Sequence, residues 1–181
     1  MSAQVLLVRH TEVARAWRGR CYGQSDMGLS RAGAAHARTL APELAEWKPD
    51  LVLHSGLRRA QILADAIATF VGVAAIADPA WMERDFGSWE GKRWTAIYRE
   101  TGNAMDGMIE APESFRPGNG ETTMELAARA NAALRKLPSQ RVLVVTHGGP
   151  IAAIVGMLQA VPVHDWPGLM PAAGAMVVVV R

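Results

Sequence analysis

Arg9 and His10 close the apolar run Leu6-Leu7-Val8, and Thr146 and His147 close a second run, Val142-Leu143-Val144-Val145. A third apolar stretch, Leu51-Val52-Leu53, ends in His54-Ser55, with Arg59 shortly after it. These residue types share one chemistry. An imidazole can act as a nucleophile, and a guanidinium holds an oxyanion through paired N–H groups. If the three runs are neighbouring strands, Arg9, Arg59, His10 and His147 meet at one sheet edge. Backbone N–H groups of Gly148 and Gly149 at a helix start would join them. The result is a pocket for a doubly charged anion, and phosphate fits best. Arginines beside His10 disfavour the protonated ring and keep a lone pair available for attack on phosphorus. They also stabilise the charge that develops on the transferring oxygens. The leaving group needs a proton donor, and Glu83, flanked by Trp81 and Phe86, is the candidate because those rings would partly desolvate its carboxyl group.

The elements that must position these residues alternate along the chain. Strands are expected at Gln4–Val8, Leu51–His54, Val73–Ile76, Arg141–Val145 and Ala175–Val180. Helices are expected at Ser30–Leu44 with Ser30 as N-cap, Leu57–Phe70, Thr122–Leu137 and Pro150–Leu158. Asp78–Glu121 differs: it is rich in proline, glycine and tryptophan and reads as a loop-rich insertion with one short helix around Trp94–Glu100. The alternation predicts an α/β fold, a three-layer α/β/α sandwich on a mostly parallel central sheet. Runs such as Val142–Val145, apolar throughout, suit strands covered on both faces. No repeat or linker divides the 181 residues, so a single domain, 1–181, is expected. Ligands of such sheets bind beyond the carboxyl ends of the strands, which is where the polar residues fall.

Composition narrows the function. The 19 Lys+Arg against 17 Asp+Glu give a formal charge of +2, too even for a nucleic-acid partner, and no stretch is long and apolar enough to suggest a membrane one. A single cysteine, Cys21, excludes an internal disulfide and a cysteine-based zinc site. The carboxylates are scattered rather than grouped, so no metal and no cofactor is expected. No signal peptide is visible at the start, and a cytoplasmic location is the default.

Several blocks, in order, resemble the histidine phosphatase superfamily, also called phosphoglycerate mutase-like. They are Arg9-His10-Thr11-Glu12, Ser55-Gly56-Leu57-Arg58-Arg59-Ala60, Glu83-Arg84-Asp85-Phe86-Gly87-Ser88-Trp89-Glu90-Gly91, Pro117-Gly118-Asn119-Gly120-Glu121 and Thr146-His147-Gly148-Gly149. The resemblance covers nearly the whole chain. It implies a phosphomonoesterase with His10 as nucleophile, Arg9, Arg59 and His147 around the phosphate, and Glu83 as proton donor. Thr11, Ser25 and Gly148 are expected to add phosphate or substrate contacts. The partner is then a small-molecule phosphate, and a homodimer is compatible with it. Thr11 stands where the family usually has glycine, and Ala16 where many members have asparagine. These two departures motivate one alternative, a non-catalytic phosphate-binding module. A cofactor-dependent phosphoglycerate mutase is the other.

The stretch Cys21-Tyr22-Gly23-Gln24-Ser25-Asp26 resembles the α-ribazole phosphatase-like branch and suggests α-ribazole 5′-phosphate, from cobalamin synthesis, as substrate. Trp81, Trp89, Trp94, Met105, Met108 and Phe115 would supply apolar cover for its ring, although the same aromatics also suit plain packing. Arg58, about 100° around a helix from Arg59, should point elsewhere. His54 reads as a hydrogen-bonded strand-end residue, and His36 and His164 as surface or structural residues. Glu121 could pair with the pocket arginines or cap the helix at Thr122.

Overall fold

The computed structural model describes residues 4–180. Five strands form one sheet: β1 (Gln4–Arg9), β2 (Leu51–His54), β3 (Ala75–Ala77), β4 (Val142–Thr146) and β5 (Met176–Val180), in the order β3-β2-β4-β1-β5. β1, β2, β3 and β4 run parallel, and β5 pairs antiparallel with β1 at the edge. The apolar run of β5 gives no hint of its direction, because an apolar strand reads the same either way.

Successive residues of β1 serve opposite faces, as the period of two requires. Leu6 and Val8 pack with α1 (Arg31–Ala45) and α2 (Arg58–Val71), through Leu40, Leu44, Leu63 and Ile67. Val5 and Leu7 pack with α5 (Thr123–Lys136) and α6 (Gly148–Leu158), through Ala130, Leu134, Ile151 and Ile154. Every residue of β4 is buried, as its uninterrupted apolar sequence predicts. The three-layer sandwich is therefore the observed architecture.

Most element bounds move by one or two residues from those expected. Ser30 caps α1 by accepting from the Gly33 amide at 2.9 Å, as anticipated. α6 begins two residues before Pro150, which puts Gly148 and Gly149 in its first turn. Pro at the third helical position is tolerated because the amide it lacks has no intrahelical partner there. The 78–121 stretch holds α3 (Trp94–Thr101) and a second short helix, α4 (Gly107–Glu110), among single 3₁₀ turns.

Register decides function. Arg9 lies opposite Thr146, and His54 opposite Val145, so β1, β4 and β2 finish at one edge. The Thr146 hydroxyl then donates to the Trp81 carbonyl at 2.7 Å, fixing the start of the 78–121 stretch to the same edge.

Candidate active site

His10 is buried at the end of β1. Its Nδ1 lies 2.8 Å from the Thr11 carbonyl, which can only accept, so Nδ1 carries the proton and Nε2 keeps its lone pair. Burial, and then the charges of Arg59 and Arg9, pull its pKa from 6.5 down to about 3, against the opposing pull of the Thr11 carbonyl. The ring is a neutral base in a fixed tautomer.

Its neighbour His147 stands edge-on, with ring centroids 5.1 Å apart. Arg59 Nε donates to His147 Nδ1 at 3.3 Å, so the remaining proton sits on Nε2 and is donated to Ser55 Oγ at 2.8 Å. Complete burial, with Arg59, His10, Arg9 and Arg129 adding to it, holds this imidazole well below its usual pKa. As placed, His147 braces Arg59 rather than offering a donor of its own to a phosphate oxygen. Ser55, part of a matched block but not anticipated as a site residue, completes that brace.

Arg59 is fully buried without an ion-pair partner among the described residues. Nη1 donates to the Ser25 carbonyl at 2.8 Å and to Met27 Sδ at 3.1 Å, and Nη2 donates to the Gly23 carbonyl. A guanidinium removed from water and surrounded by neutral acceptors keeps its charge available for an incoming anion. Arg9 is held differently. Its Nη1 donates to the Pro171 carbonyl at 2.7 Å, while its Nε is buried with no partner among the described residues. Gly148 packs against this guanidinium, and a Cβ there would sit 3.3 Å from Arg9 Cζ.

Glu83 faces the same space. Its Oε1 accepts from the Arg84 amide at 2.9 Å, and its Oε2 from the Gly149 amide at 3.3 Å. A side chain at Gly149 would displace this carboxylate from its present position. The expected aromatic sandwich around Glu83 is not the arrangement observed. Trp81 is in the core beneath the sheet, and Phe86 packs edge-on against Trp94. The backbone leading to Glu83 is held by Arg129, which donates to the carbonyls of Ala80 and Met82 at 2.9 Å each and pairs with both oxygens of Glu121. Glu121 thus neither joins the phosphate pocket nor caps α5. That cap is Thr122, in a reciprocal box with Glu125.

Two expected phosphate contacts turn away. The Thr11 hydroxyl donates to the Gly33 carbonyl at 2.8 Å, tying the loop after His10 to α1. The Ser25 hydroxyl donates to Glu90 at 2.6 Å. Both residues serve through their carbonyls, Thr11 toward His10 and Ser25 toward Arg59. Ala16 offers only its carbonyl, to Arg20. Arg58 is exposed as expected, and His54 accepts from the Gly56 amide at 3.1 Å in a strand-end turn.

Glu90 went unremarked beyond its place in the motif, yet it organises the site. Its oxygens accept from the Gln24 amide at 2.8 Å, the Ser25 hydroxyl and the Phe86 amide at 3.2 Å. These bonds fasten the 21–26 loop, whose carbonyls clasp Arg59, to the stretch that carries Glu83.

Above the anion pocket opens a cavity of about 510 Å³. Of the six residues expected to cover a leaving group, Trp94, Met105 and Met108 line it. Trp81, Trp89 and Phe115 are spent on packing, Trp89 against Phe115 and Trp81 in the core. Val163, Trp166 and Met170, from the segment before β5, form a wall that no local pattern of residues announces. Among the described residues, no three His, Cys, Asp or Glu side chains gather as metal ligands, and no helix is long and apolar enough to cross a membrane.

Known proteins resemble this chain along most of its length. Glucosyl-3-phosphoglycerate phosphatase of Mycobacterium tuberculosis is 29% identical over 178 residues, covering 92% of this chain and 79% of that protein. A probable phosphoglycerate mutase, GpmB, of Enterobacter sp. (strain 638) is 32% identical over 165 residues, covering 89% of this chain and 77% of the relative. The crystal structure of the α-ribazole phosphatase from Shigella flexneri superposes with a TM-score of 0.84 at 23% identity, covering 97% of this chain and 89% of that one, a likeness of fold. Residues 5–181 match the sequence model of one family along their whole length, and the chain belongs to the histidine phosphatase superfamily, branch 1.

Proposed function

We propose that this phosphoric monoester hydrolase acts without a metal ion, through a phosphohistidine at His10, on a small-molecule phosphate. The observation that carries the reading is the fixed tautomer of His10: Nδ1–H is anchored on the Thr11 carbonyl and the Nε2 lone pair is free. In the first half-reaction Nε2 attacks phosphorus, and the bond from phosphorus to the leaving oxygen breaks. That oxygen takes the proton of the Glu83 carboxylic acid. The Thr11 carbonyl then faces a ring that has become cationic, while Arg9 and Arg59 face the equatorial oxygens. In the second half-reaction water gives a proton to the Glu83 carboxylate and attacks phosphorus. The P–N bond breaks, releasing phosphate and restoring His10.

Trapping is the direct test. Brief incubation with radiolabelled substrate and acid-free quenching should leave base-stable, acid-labile phosphate on the wild-type protein. None should appear on His10→Ala, whose turnover should fall by about four orders of magnitude or more. Turnover by His10→Ala near the wild-type rate would overturn the mechanism. Loss of wild-type activity on chelation, with recovery on adding a divalent ion, would overturn its independence of metal.

For the leaving group, α-ribazole 5′-phosphate is the specific substrate suggested by the Cys21–Asp26 loop, and the apolar cavity wall of Trp94, Met105 and Met108 supports a ring at that position. Its kcat/KM should exceed that of ribose 5-phosphate by about a hundredfold if the ring is read there. Equal values would leave a phosphatase of broader choice. The mutase alternative has a named relative in its favour. Isomerisation of phosphoglycerates, rather than release of phosphate from them, would establish it.

A further inference from the structure

Residues 82–86 lie between the 3₁₀ turns Pro79–Trp81 and Gly87–Trp89 and belong to no helix or strand, so their carbonyls must find donors elsewhere. One side chain of α5 does most of this. Arg129 donates from Nη1 to the carbonyls of Ala80 and Met82, and from Nη2 to that of Glu83 at 3.4 Å. Its Nε and Nη2 also pair with the two oxygens of Glu121, at 2.9 and 2.8 Å. Every N–H of the guanidinium is thereby occupied. The Arg129 and Glu121 side chains are only 24% and 14% exposed, so the pair is largely withdrawn from solvent. The Trp81 carbonyl goes the other way, to the Thr146 hydroxyl, which leaves the segment tied between β4 and α5. Packing alone would leave it slack, because a cavity of about 300 Å³, lined by Asp78, Ala80, Arg129 and Lys136, lies beside it.

We propose that Arg129, locked by Glu121, is a positioning residue that acts through Glu83, holding its carboxyl group where the leaving oxygen takes a proton. The Glu83 side chain has few anchors of its own. Oε1 is held by the amide of Arg84, which moves with it, and only the Gly149 amide ties Oε2 to another element. A proton donor must stay within hydrogen-bond reach of its acceptor, and a displacement of about 1 Å is enough to cost rate. Gln24 Nε2 donates to the Glu83 carbonyl at 3.1 Å, and the Glu121 amide to the Asp85 carbonyl at 2.8 Å, but neither grips the carbonyls that precede Glu83. Arg129 does. Its charge also reaches His147, whose imidazole it helps to hold below the usual pKa. Lysine in its place would keep that charge, so position and electrostatics can be told apart.

This inference rests on the reading of Glu83 as proton donor, and Glu83→Gln is the reference that separates the two. Arg129→Lys keeps a cation beside Glu121, but one ammonium cannot grip both carboxylate oxygens and the carbonyls as well. Its kcat for an alkyl phosphate such as n-propyl phosphate should fall by about tenfold. Turnover of p-nitrophenyl phosphate, whose leaving oxygen needs no proton, should stay within about twofold. In the Glu83→Gln background the same substitution should change neither rate by more than about twofold. The part-exposed Gly149 amide, which donates to Glu83, should exchange its proton about tenfold faster in Arg129→Lys, as in Glu83→Ala. A merely structural role would slow both substrates alike or add to the loss in Glu83→Gln. Either result, or full activity, or unchanged exchange at Gly149, would overturn the inference and leave the phosphatase intact. If Glu83→Gln itself slows both substrates alike, or the wild type hydrolyses neither, that reading fails instead, and exchange at Gly149 alone decides whether Arg129 positions Glu83. Should Arg129→Lys not fold, Glu121→Gln, which keeps the arginine and loosens one side of its fork, carries the same expectations and the same refutations.

Discussion

The two ends of the ligand site are built on opposite plans. The phosphate end is made by strand termini and is fully buried at His10, Thr11, Ser55, Arg59 and His147, with almost every polar atom bonded to a protein partner. The leaving-group end is made by the 78–121 stretch and the 163–170 segment, is largely apolar, and is open enough to leave Met105, Met108 and Met170 partly exposed. One end is rigid by register and hydrogen bonding. The other is shaped by side-chain packing, where Met adapts to different contours. On the proposed mechanism chemistry belongs to the first and choice of substrate to the second, so the two should respond differently to mutation.

Arg59→Met should give the largest effect outside the nucleophile. It removes the buried charge and should lower kcat/KM by about a thousandfold, equally for every substrate. Unequal losses across a substrate panel would break the division between the two ends. Glu83→Gln stands on the boundary. Alkyl phosphates, whose leaving oxygen needs a proton, should slow by about a hundredfold, and p-nitrophenyl phosphate by much less. A uniform loss would remove Glu83 from the role of proton donor.

Glu90→Gln sharpens the comparison, because Glu90 joins the two regions. It should raise KM and the inhibition constant for inorganic phosphate together by about tenfold, through looser carbonyl clasps on Arg59, with no change in the ranking of substrates. A changed ranking would mean that Glu90 shapes the leaving-group end instead.

The smallest effect is on stability. The native His10 has its pKa pulled down to about 3 from the ordinary 6.5 of histidine, so between those values the unfolded chain binds the extra proton first. Its contribution to stability is present above pH 6.5 and is lost as pH falls through that window. Urea melts at pH 6.5 and pH 4.5 should therefore differ by up to about 2 kcal/mol less in His10→Asn than in wild type. An unchanged difference would show that burial of this ring is not what acid opposes.

What the sequence disclosed follows the same division. Arg9, His10, Arg59 and His147 are legible as neighbours because each sits at a strand end or in the first turn after one, where a local pattern reports a position in space, whereas Glu83, in the loop beyond β3, is legible only through its motif. Helix and strand bounds shifted by a residue or two, as caps rather than propensity settle them. The hydroxyls of Thr11 and Ser25 were misjudged because their directions depend on the Gly33 carbonyl and on Glu90, acceptors 22 and 65 residues away in the chain. The wall from Val163, Trp166 and Met170 was hidden for the same reason. It exists only where residues about 60 positions from the insertion fold back onto it, and no local period encodes that.

The place of β1 in the sheet has a consequence for how the enzyme comes into being. The strand that carries Arg9 and His10 pairs with β4 and β5, both of which lie far from it along the sequence. Arg9 even receives one of its anchors from Pro171. Contacts of such long sequence separation form late, after the largest loops have closed. The strand that ends in His10 therefore stays unpaired on both sides until those long loops have closed. The neutral ring and the oriented arginine arrive together with the pairing of β5, so catalytic competence should require the closed sheet and be absent from any partly folded form that lacks it.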